Sequence, residues 1–219
     1  MKVVIIGGVA GGATAAARIR RLDEQAEIVM LERSGYISYA NCGLPYYVGG
    51  VIADAGELTL QTPESFRRRF HIDVRVRHEA MSVDRAAHTV VVRNLETGET
   101  YAESYDRLLL APGAEPIRPA LPGIDLPGVF TLRTVEDTLR ISHALEERRL
   151  RSAVIVGGGF IGVEMAENLH RRGLEVTILE KQTQLLGQLD ADMACFVHAH
   201  LREKGISLVL GQGYGNKCF

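Results

Sequence analysis

The sequence predicts an α/β fold in which one supersecondary unit is built twice, and three observations predict it. A short apolar run, a glycine-rich turn, a helical pattern and a second apolar run ending in glutamate span residues 2–32 and recur over residues 153–180. Between the copies the texture changes to short alternating, β-rich segments. The composition is that of a globular protein, 46% apolar with a net charge of −2 over 219 residues, enough for a sizeable core. The expectation is two parallel-sheet units, an antiparallel β-meander inserted in the first, and an incomplete second unit.

Residues 2–6 run apolar without alternation, as a strand buried on both faces does. The turn Gly7-Gly8-Val9-Ala10-Gly11-Gly12 follows. Residues 13–22 read as a helix with Ala15, Ile19 and Leu22 on an apolar stripe and Thr14, Arg18 and Arg21 on a polar one. A strand over 26–31 ends in Glu32. Segments 73–77, 88–94 and 99–104 are assigned to the meander, with Glu96-Thr97-Gly98-Glu99 supplying a turn. Residues 107–111 read as a buried strand closed by Pro112-Gly113, and the Pro-rich stretch 116–127 as a crossing between domains. A helix with outward charges is expected over 135–150. The opening pattern then repeats as a strand (153–156), the turn Gly157-Gly158-Gly159-Phe160-Ile161-Gly162, a helix (163–172) and a strand (175–179) ending in Glu180. Domain boundaries are placed at 1–118, 119–149 and 150–219.

Each turn has the form that binds a dinucleotide: one Gly for the tight bend, a second where backbone approaches pyrophosphate, a third where helix packs on strand. Helix-start N–H groups then hold the anion. Gly157, Gly159 and Gly162 match in full, whereas Val9 takes the middle place in the first copy. A single such turn is weak evidence, since it also serves as plain punctuation between strand and helix. Two copies, each followed by a strand-terminal Glu, point to two dinucleotides. Glu32 and Glu180 are placed to accept from ribose hydroxyls, and a carboxylate at Glu180 favours NADH over NADPH, a lean that Lys181 and Lys204 soften.

The three cysteines, Cys42, Cys195 and Cys218, are widely spaced and odd in number. That argues against a disulfide scaffold and suits a reducing cytoplasm. Cys42 lies between the two turns in Ser38-Tyr39-Ala40-Asn41-Cys42-Gly43-Leu44-Pro45-Tyr46, where Asn, Gly and Pro indicate a shaped turn. A buried structural thiol is the plainer alternative.

This run, both glycine turns and Tyr105-Asp106-Arg107-Leu108-Leu109-Leu110-Ala111-Pro112-Gly113 resemble the single-cysteine branch of the FAD-dependent pyridine nucleotide–disulfide oxidoreductases. Within it the likeness is nearest to coenzyme A disulfide reductases and related persulfide reductases and NADH oxidases, over residues 1 to 210. The resemblance implies two Rossmann-like units, the first for FAD and the second for NADH or NADPH. It implies a catalytic Cys42 and flavin contacts from Gly7, Gly8, Val9, Ala10, Gly11, Gly12, Glu32, Arg33, Asn41, Ala111, Pro112, Gly113 and Arg133. It further implies a nicotinamide site built from Gly157, Gly159, Phe160, Ile161, Gly162, Glu164 and Glu180. Phe160 would shield the flavin and Glu164 hold the carboxamide.

Two-cysteine members of the wider superfamily carry a second Cys where this chain has Tyr47, so Cys42 is expected to be resolved by an external thiol such as coenzyme A. With oxygen or peroxide as acceptor it would instead cycle through a sulfenic acid, as in an NADH oxidase or peroxidase. For coenzyme A disulfide or persulfide the implied contacts are Thr14, Arg18, Arg21, Ser38 and Asn41. Helical spacing puts the first three on one face, where two arginines can clamp phosphates, although a solvated basic face reads equally well.

The seven histidines make no convincing metal site, and His198 and His200 point to different helix faces. Arg67-Arg68-Arg69 reads as a solvated helix end, and the near-neutral charge offers no general argument for nucleic acid or a membrane as partner. Lys2 and the following apolar and Ala-rich stretch imitate a secretory signal, but Gly7, Gly8, Gly11 and Gly12 suit a nucleotide fold better. Members of the family continue further, through a second FAD segment and a dimerisation domain, and are homodimers. After Leu210 the likeness ends, and the expectation for this chain alone is weak flavin binding and poor turnover, at the extreme an inactive nucleotide-binding fragment.

Overall fold

A computed structural model of the chain describes residues 1–148 and 150–213. The expectations for Arg149 and for residues 214–219, Cys218 included, lie outside the described residues. The described residues divide into two compact units, one formed by residues 1–41, 56–125 and 131–136, the other by 42–55, 126–130, 137–148 and 150–213.

In the first unit, β1 (Lys2–Ile6) is flanked in parallel by β2 (Glu27–Glu32) and β7 (Arg107–Leu110), with β3 (Asp73–Val76) beyond β2, giving the order β3-β2-β1-β7. The direction of strand succession therefore reverses between β1 and β7. Such a reversal opens a crevice at the carboxyl ends of the strands. One face of this sheet, through Val3, Ile5, Ile28 and Met30, packs on Ala13 and Ala16 of α1 (Ala10–Leu22) and Phe66 of α3 (Pro63–Phe70). The other, through Val4, Val29 and Leu31, packs on Val90 and Val92 of β5 (Thr89–Asn94). β5 lies between β4 (His78–Asp84) and β6 (Thr100–Ser104) in an antiparallel meander. Each fully buried aliphatic side chain contributes about 1.5–3 kcal/mol through lost apolar exposure.

Several boundaries differ from those read in the sequence. Residues 73–77, assigned to the meander, form β3 of the parallel sheet, and His78–Asp84 takes the vacated meander place. The physical reason is Arg77, whose φ of 59° turns the chain out of one sheet and into the other. Both glycine-turn helices start three residues before the expected positions, α1 at Ala10 and α5 (Phe160–Arg171) at Phe160, because Gly11, Gly12 and Gly162 lie inside the first turn. On α1 the buried positions are Gly12, Ala13 and Ala16, while Leu22, placed on the apolar stripe, is 70% exposed. Thr14, Arg18 and Arg21 are exposed together as expected. In β7, read as buried, Leu110 is largely exposed.

Helix α3 starts with Pro63 after a capping box in which Thr62 and Ser65 exchange side chain to backbone bonds of 3.1 and 2.9 Å. It stops at His71, which is left-handed, and Arg67, Arg68 and Arg69 form its exposed last turn.

In the second unit β8 (Ser152–Val156), β9 (Glu175–Glu180) and β10 (Ser207–Leu210) form a parallel sheet in the order β10-β9-β8. Helix α5 joins β8 to β9 and α6 (Ala191–Glu203) joins β9 to β10. The short α2 (Leu44–Val48) packs on α5 in this unit, and α4 (Val135–Arg148) precedes β8. Among the described residues no helix is long and apolar enough to cross a membrane.

An ionic cluster ties β1, β3 and β6 together in the first unit. The buried Glu103 accepts from Lys2 at 2.7 Å and from Arg75 at 2.5 Å, while Asp73 takes a second Arg75 nitrogen at 2.7 Å. Burial alone would raise the Glu103 carboxyl, yet the hydrogen bonds from Lys2 and Arg75 outweigh it and hold it below the ordinary range. Its stabilising contribution is therefore complete above the unfolded value near 4.3 and disappears as pH falls through the lower folded value. Glu103→Gln is expected to cost roughly 1–3 kcal/mol at neutral pH. The difference from the parent should shrink as pH falls through the lowered range of the folded carboxyl and be absent once Glu103 is protonated in both states, as read by urea denaturation across the pH range.

Candidate functional site

The two glycine turns share their backbone hydrogen bond and the conformation of their first glycine. Gly7 and Gly157 have φ of 99° and 111°, and their N–H groups donate to Leu31 and Leu179 at 2.8 and 2.9 Å. Only glycine holds such a conformation without strain. A Cβ on Gly12 or Gly162 would collide with the carbonyl of Gly7 or Gly157, so helix and strand approach each other only through a bare Cα. Gly159 differs, for its φ is ordinary and a Cβ there would meet nothing within 4 Å. Nothing in the fold demands glycine at this place, which explains how Val9 occupies the matching position. The open space at Gly159 faces no protein atom. Neither α1 nor α5 has a side-chain cap or an acidic residue in its first turn, which leaves their leading N–H groups for an anion.

The strand-end glutamates repeat this correspondence. Glu32 accepts from the N–H of Gly8 at 2.7 Å and of Ser34 at 2.8 Å, and Glu180 from those of Gly158 at 2.6 Å and Gln182 at 2.8 Å. A carboxylate has about four acceptor directions, so each Glu retains capacity for a hydroxyl. Six residues on, the chain turns through a left-handed residue in both copies, Ser38 with φ 46° and Leu186 with φ 49°. Each donates its N–H back to the glycine turn, Ser38 to Gly8 at 2.9 Å and Leu186 to Gly158 at 2.8 Å. This elbow was not read from the sequence, where neither Ser nor Leu announces a positive φ.

Beyond its elbow the first copy leads into the Cys42 turn. Residues 38–40 lie along 58–60, with Ala40 donating to Leu58 at 2.8 Å and Leu60 to Ser38 at 2.9 Å. Asn41, Cys42 and Gly43 form a 3₁₀ turn that runs into α2, and the Cys42 thiol is exposed. Cys195 is also free and exposed, and neither is paired in a disulfide.

Around the first turn the structure gathers several residues singled out in the sequence. The Ala111 carbonyl lies against Gly7, and Ala111 donates to Ile6 at 2.8 Å. Arg133 donates to the Ala114 carbonyl at 3.2 Å and to the Asn41 side chain at 3.5 Å, beside Gly113, whose φ is 75°. Pro112 links the two groups. Arg33 is engaged by Glu79 and Glu115, and those bonds raise its pKa.

On α1 the three arginines differ. Arg20 is locked by bonds to the carbonyls of Phe70, His71 and Glu24 at 2.8, 2.9 and 2.6 Å. Arg18 and Arg21, with Thr14 on the same face, make no ion pair among the described residues.

In the second unit Phe160 opens α5 and is 57% exposed, Ile161 is exposed beside it, and Glu164 lies one turn on, half-buried on the Phe160 face. One further turn along, Asn168 is fully buried, donates to the Glu164 carbonyl at 2.8 Å and faces Gly49 at the end of α2. Gly49 is where α2 needs a bare Cα, and neither residue was singled out in the sequence. Two shallow grooves flank Glu180, one lined by Gly157, Lys181 and Gln212, the other by Gly158, Gly159, Gln182 and Gln184. Among the described residues no group of three metal-ligating side chains comes together.

Gly162→Ala is expected to destabilise the second unit by roughly 1–3 kcal/mol through overpacking, whereas Gly159→Ala should change stability by less than about 0.5 kcal/mol. Thermal denaturation of the two variants distinguishes them.

A family model described as pyridine nucleotide-disulphide oxidoreductase matches residues 1–216. A coenzyme A disulfide reductase of Staphylococcus epidermidis is 42% identical over 192 residues, which are 88% of this chain and 43% of that protein. Among solved structures, reduced Bacillus anthracis CoADR-RHD superposes with a TM-score of 0.95 at 50% identity, over 97% of this chain and 38% of its own. An NAD-dependent persulfide reductase from A. fulgidus gives 0.92 at 38% identity, over 96% of this chain and 40% of its own. The chain thus spans less than half the length of each of these relatives.

Proposed function

Because the chain belongs to the pyridine nucleotide-disulphide oxidoreductases, we propose that it carries the FAD-binding segment, the redox-active cysteine and the pyridine nucleotide turn of a coenzyme A disulfide or persulfide reductase. The observation that carries this reading is the exposed Cys42 thiol, unpaired and set on the chain that leaves the first glycine turn. An exposed lone thiol is free to attack an external sulfur, which a buried structural one is not.

The residues present fit a flavin dinucleotide at the first turn. The crevice between β1 and β7 and the uncapped start of α1, brought close to the strand by the bare Cα of Gly12, suit a pyrophosphate, and Glu32 retains acceptor capacity for a ribose hydroxyl. Ala111, Gly113, Asn41 and Arg133 converge beside that turn. When bound, FAD supplies a two-electron carrier between nicotinamide and sulfur. In the second unit Gly157, Gly159 and Gly162 hold the pyridine dinucleotide, Glu180 takes its ribose, and Phe160 and Glu164 lie on the face of α5 that leads from the turn. A carboxylate at Glu180 favours NADH, with Gln182 and Gln184 neutral on one side of it, and the adjacent Lys181 softens that preference.

In the thiol step the Cys42 thiolate attacks one sulfur of coenzyme A disulfide, a new S–S bond forms, and the other coenzyme A leaves as a thiolate. Two electrons, drawn from NADH, then cleave the mixed disulfide and return Cys42 as a thiolate with release of the second coenzyme A. Arg18 and Arg21, exposed and without an ion pair among the described residues, bind the phosphates of the substrate.

Mass spectrometry of the purified protein tests the reading directly. The expected result is an adduct of coenzyme A mass on Cys42 after exposure to coenzyme A disulfide, absent in Cys42→Ser and retained in Cys195→Ser. An adduct on Cys195 alone sinks the assignment, and an oxygenated Cys42 with no adduct favours an oxidase or peroxidase. In the family-length enzyme, Arg18→Ala and Arg21→Ala should each raise KM for coenzyme A disulfide on the order of tenfold with kcat little changed.

A further inference from the structure

The elbow of the second unit is held by a side chain that the first unit does not use. The buried N–H of Leu185 donates to His198 Nε2 on α6 at 3.0 Å. A backbone N–H can only donate, so Nε2 must be unprotonated and the imidazole neutral. Leu185 is fully buried and its side chain fills the space over the Cα of Gly158, while the next residue, the left-handed Leu186, donates to the Gly158 carbonyl. Residues 181–190 are thereby clamped between α6 on one side and the glycine turn on the other. Gln182, Gln184 and Gly187 of this same loop line the groove whose opposite wall is Gly158 and Gly159.

Protonation would place a second N–H opposite the one from Leu185. The bond is lost, a buried donor is left unmet, and the left-handed Leu186 loses part of the support that holds it. Burial, and then the positive charge of Arg202 one turn along α6, keep the ring neutral below the usual histidine range. The titratable residues of the loop are Lys181 and Asp190 at its two ends, and β10, packed on α6, carries none.

We propose that His198 is a positioning residue for the pyridine nucleotide: its neutral imidazole latches loop 181–190 onto the second glycine turn, and acid weakens nucleotide binding by opening that latch. The inference rests on the reading of the second unit as a nucleotide site.

The test is calorimetric titration with NAD⁺, which tolerates acid, at about pH 8 and about pH 5, combined with amide hydrogen exchange. Wild-type affinity is expected to be lower at the lower pH, falling toward a limit on the order of tenfold as the ring becomes protonated. His198→Gln, whose amide oxygen can accept the same N–H without titrating, should lose most of that dependence, and His198→Leu should bind about tenfold more weakly even at the higher pH. An unchanged pH dependence in His198→Gln, or full affinity in His198→Leu, overturns the proposal. If His198→Leu does not fold, the comparison of wild type with His198→Gln decides. Absence of NAD⁺ binding at both pH values overturns the nucleotide reading of the unit, and exchange at Leu185 and Leu186 then judges the latch by itself. After correction for intrinsic rates, acid-accelerated exchange in wild type but not in His198→Gln supports it, and equal exchange overturns it.

Discussion

The bond between a strand-end carboxylate and the glycine turn is the constraint on which both units depend. Taking a carboxylate even partly out of water is costly unless its charge is met. Glu32 and Glu180 meet that requirement with two backbone N–H donors each, one from the turn and one from the residue two positions on. Charge-assisted bonds of this kind are roughly twice as strong as neutral ones. They pin the turn to the end of the second strand, so the bare Cα positions, the leading helix N–H groups and the carboxylate lie in one place. The same carboxylate that would take a ribose hydroxyl is thus already a structural clamp, and removing it disturbs the turn as well as any ligand.

From the clamp onward the two copies share one path for six residues and then part. Both reach a left-handed elbow, at Ser38 and Leu186, whose N–H returns to the carbonyl of Gly8 or Gly158. In the second copy the elbow leads through Asp190 into the long helix α6. In the first, the equivalent stretch is a 3₁₀ turn carrying Cys42. The thiol therefore occupies the place where the duplicated unit starts a helix, and its exposure follows from the chain having left the sheet and not yet entered α2. A left-handed leucine costs more than a left-handed serine, because the larger side chain has less room. The second copy compensates by burying Leu185 and satisfying its N–H with His198.

Much of this was legible in the sequence because it rests on local rules. The glycine spacing, the apolar strands, the terminal glutamates and the lone cysteine each state their geometry within a few residues. The reading failed where a single dihedral decides a sheet's membership. Residues 73–84 are continuous and β-rich, and only the left-handed Arg77 divides them between two sheets. It failed again at helix starts, where glycine is both a breaker and a requirement for close approach. Asn168 against Gly49 and His198 against Leu185 join residues far apart in the chain, and no local pattern marks them. A histidine on a helix reads as a solvated or metal-binding group until the donor opposite it is known.

The arginines of α1 show how far residue type alone can carry a functional reading. Arg18, Arg20 and Arg21 are near neighbours with identical chemistry. Arg20 points to where α1 and α3 end, and the last carbonyls of a helix are unsatisfied acceptors with partial negative charge. Its guanidinium is consumed there, satisfying Phe70, His71 and Glu24, and it holds two helix ends together. Arg18 and Arg21 are exposed on the face that carries Thr14. A mobile arginine gives up side-chain freedom on binding, a cost that only a strongly charged partner offsets. A phosphate recovers it through bidentate bonds where an isolated carboxylate or a neutral group recovers less. The free pair, not the full basic content of the helix, is therefore what a phosphate-bearing thiol substrate would select.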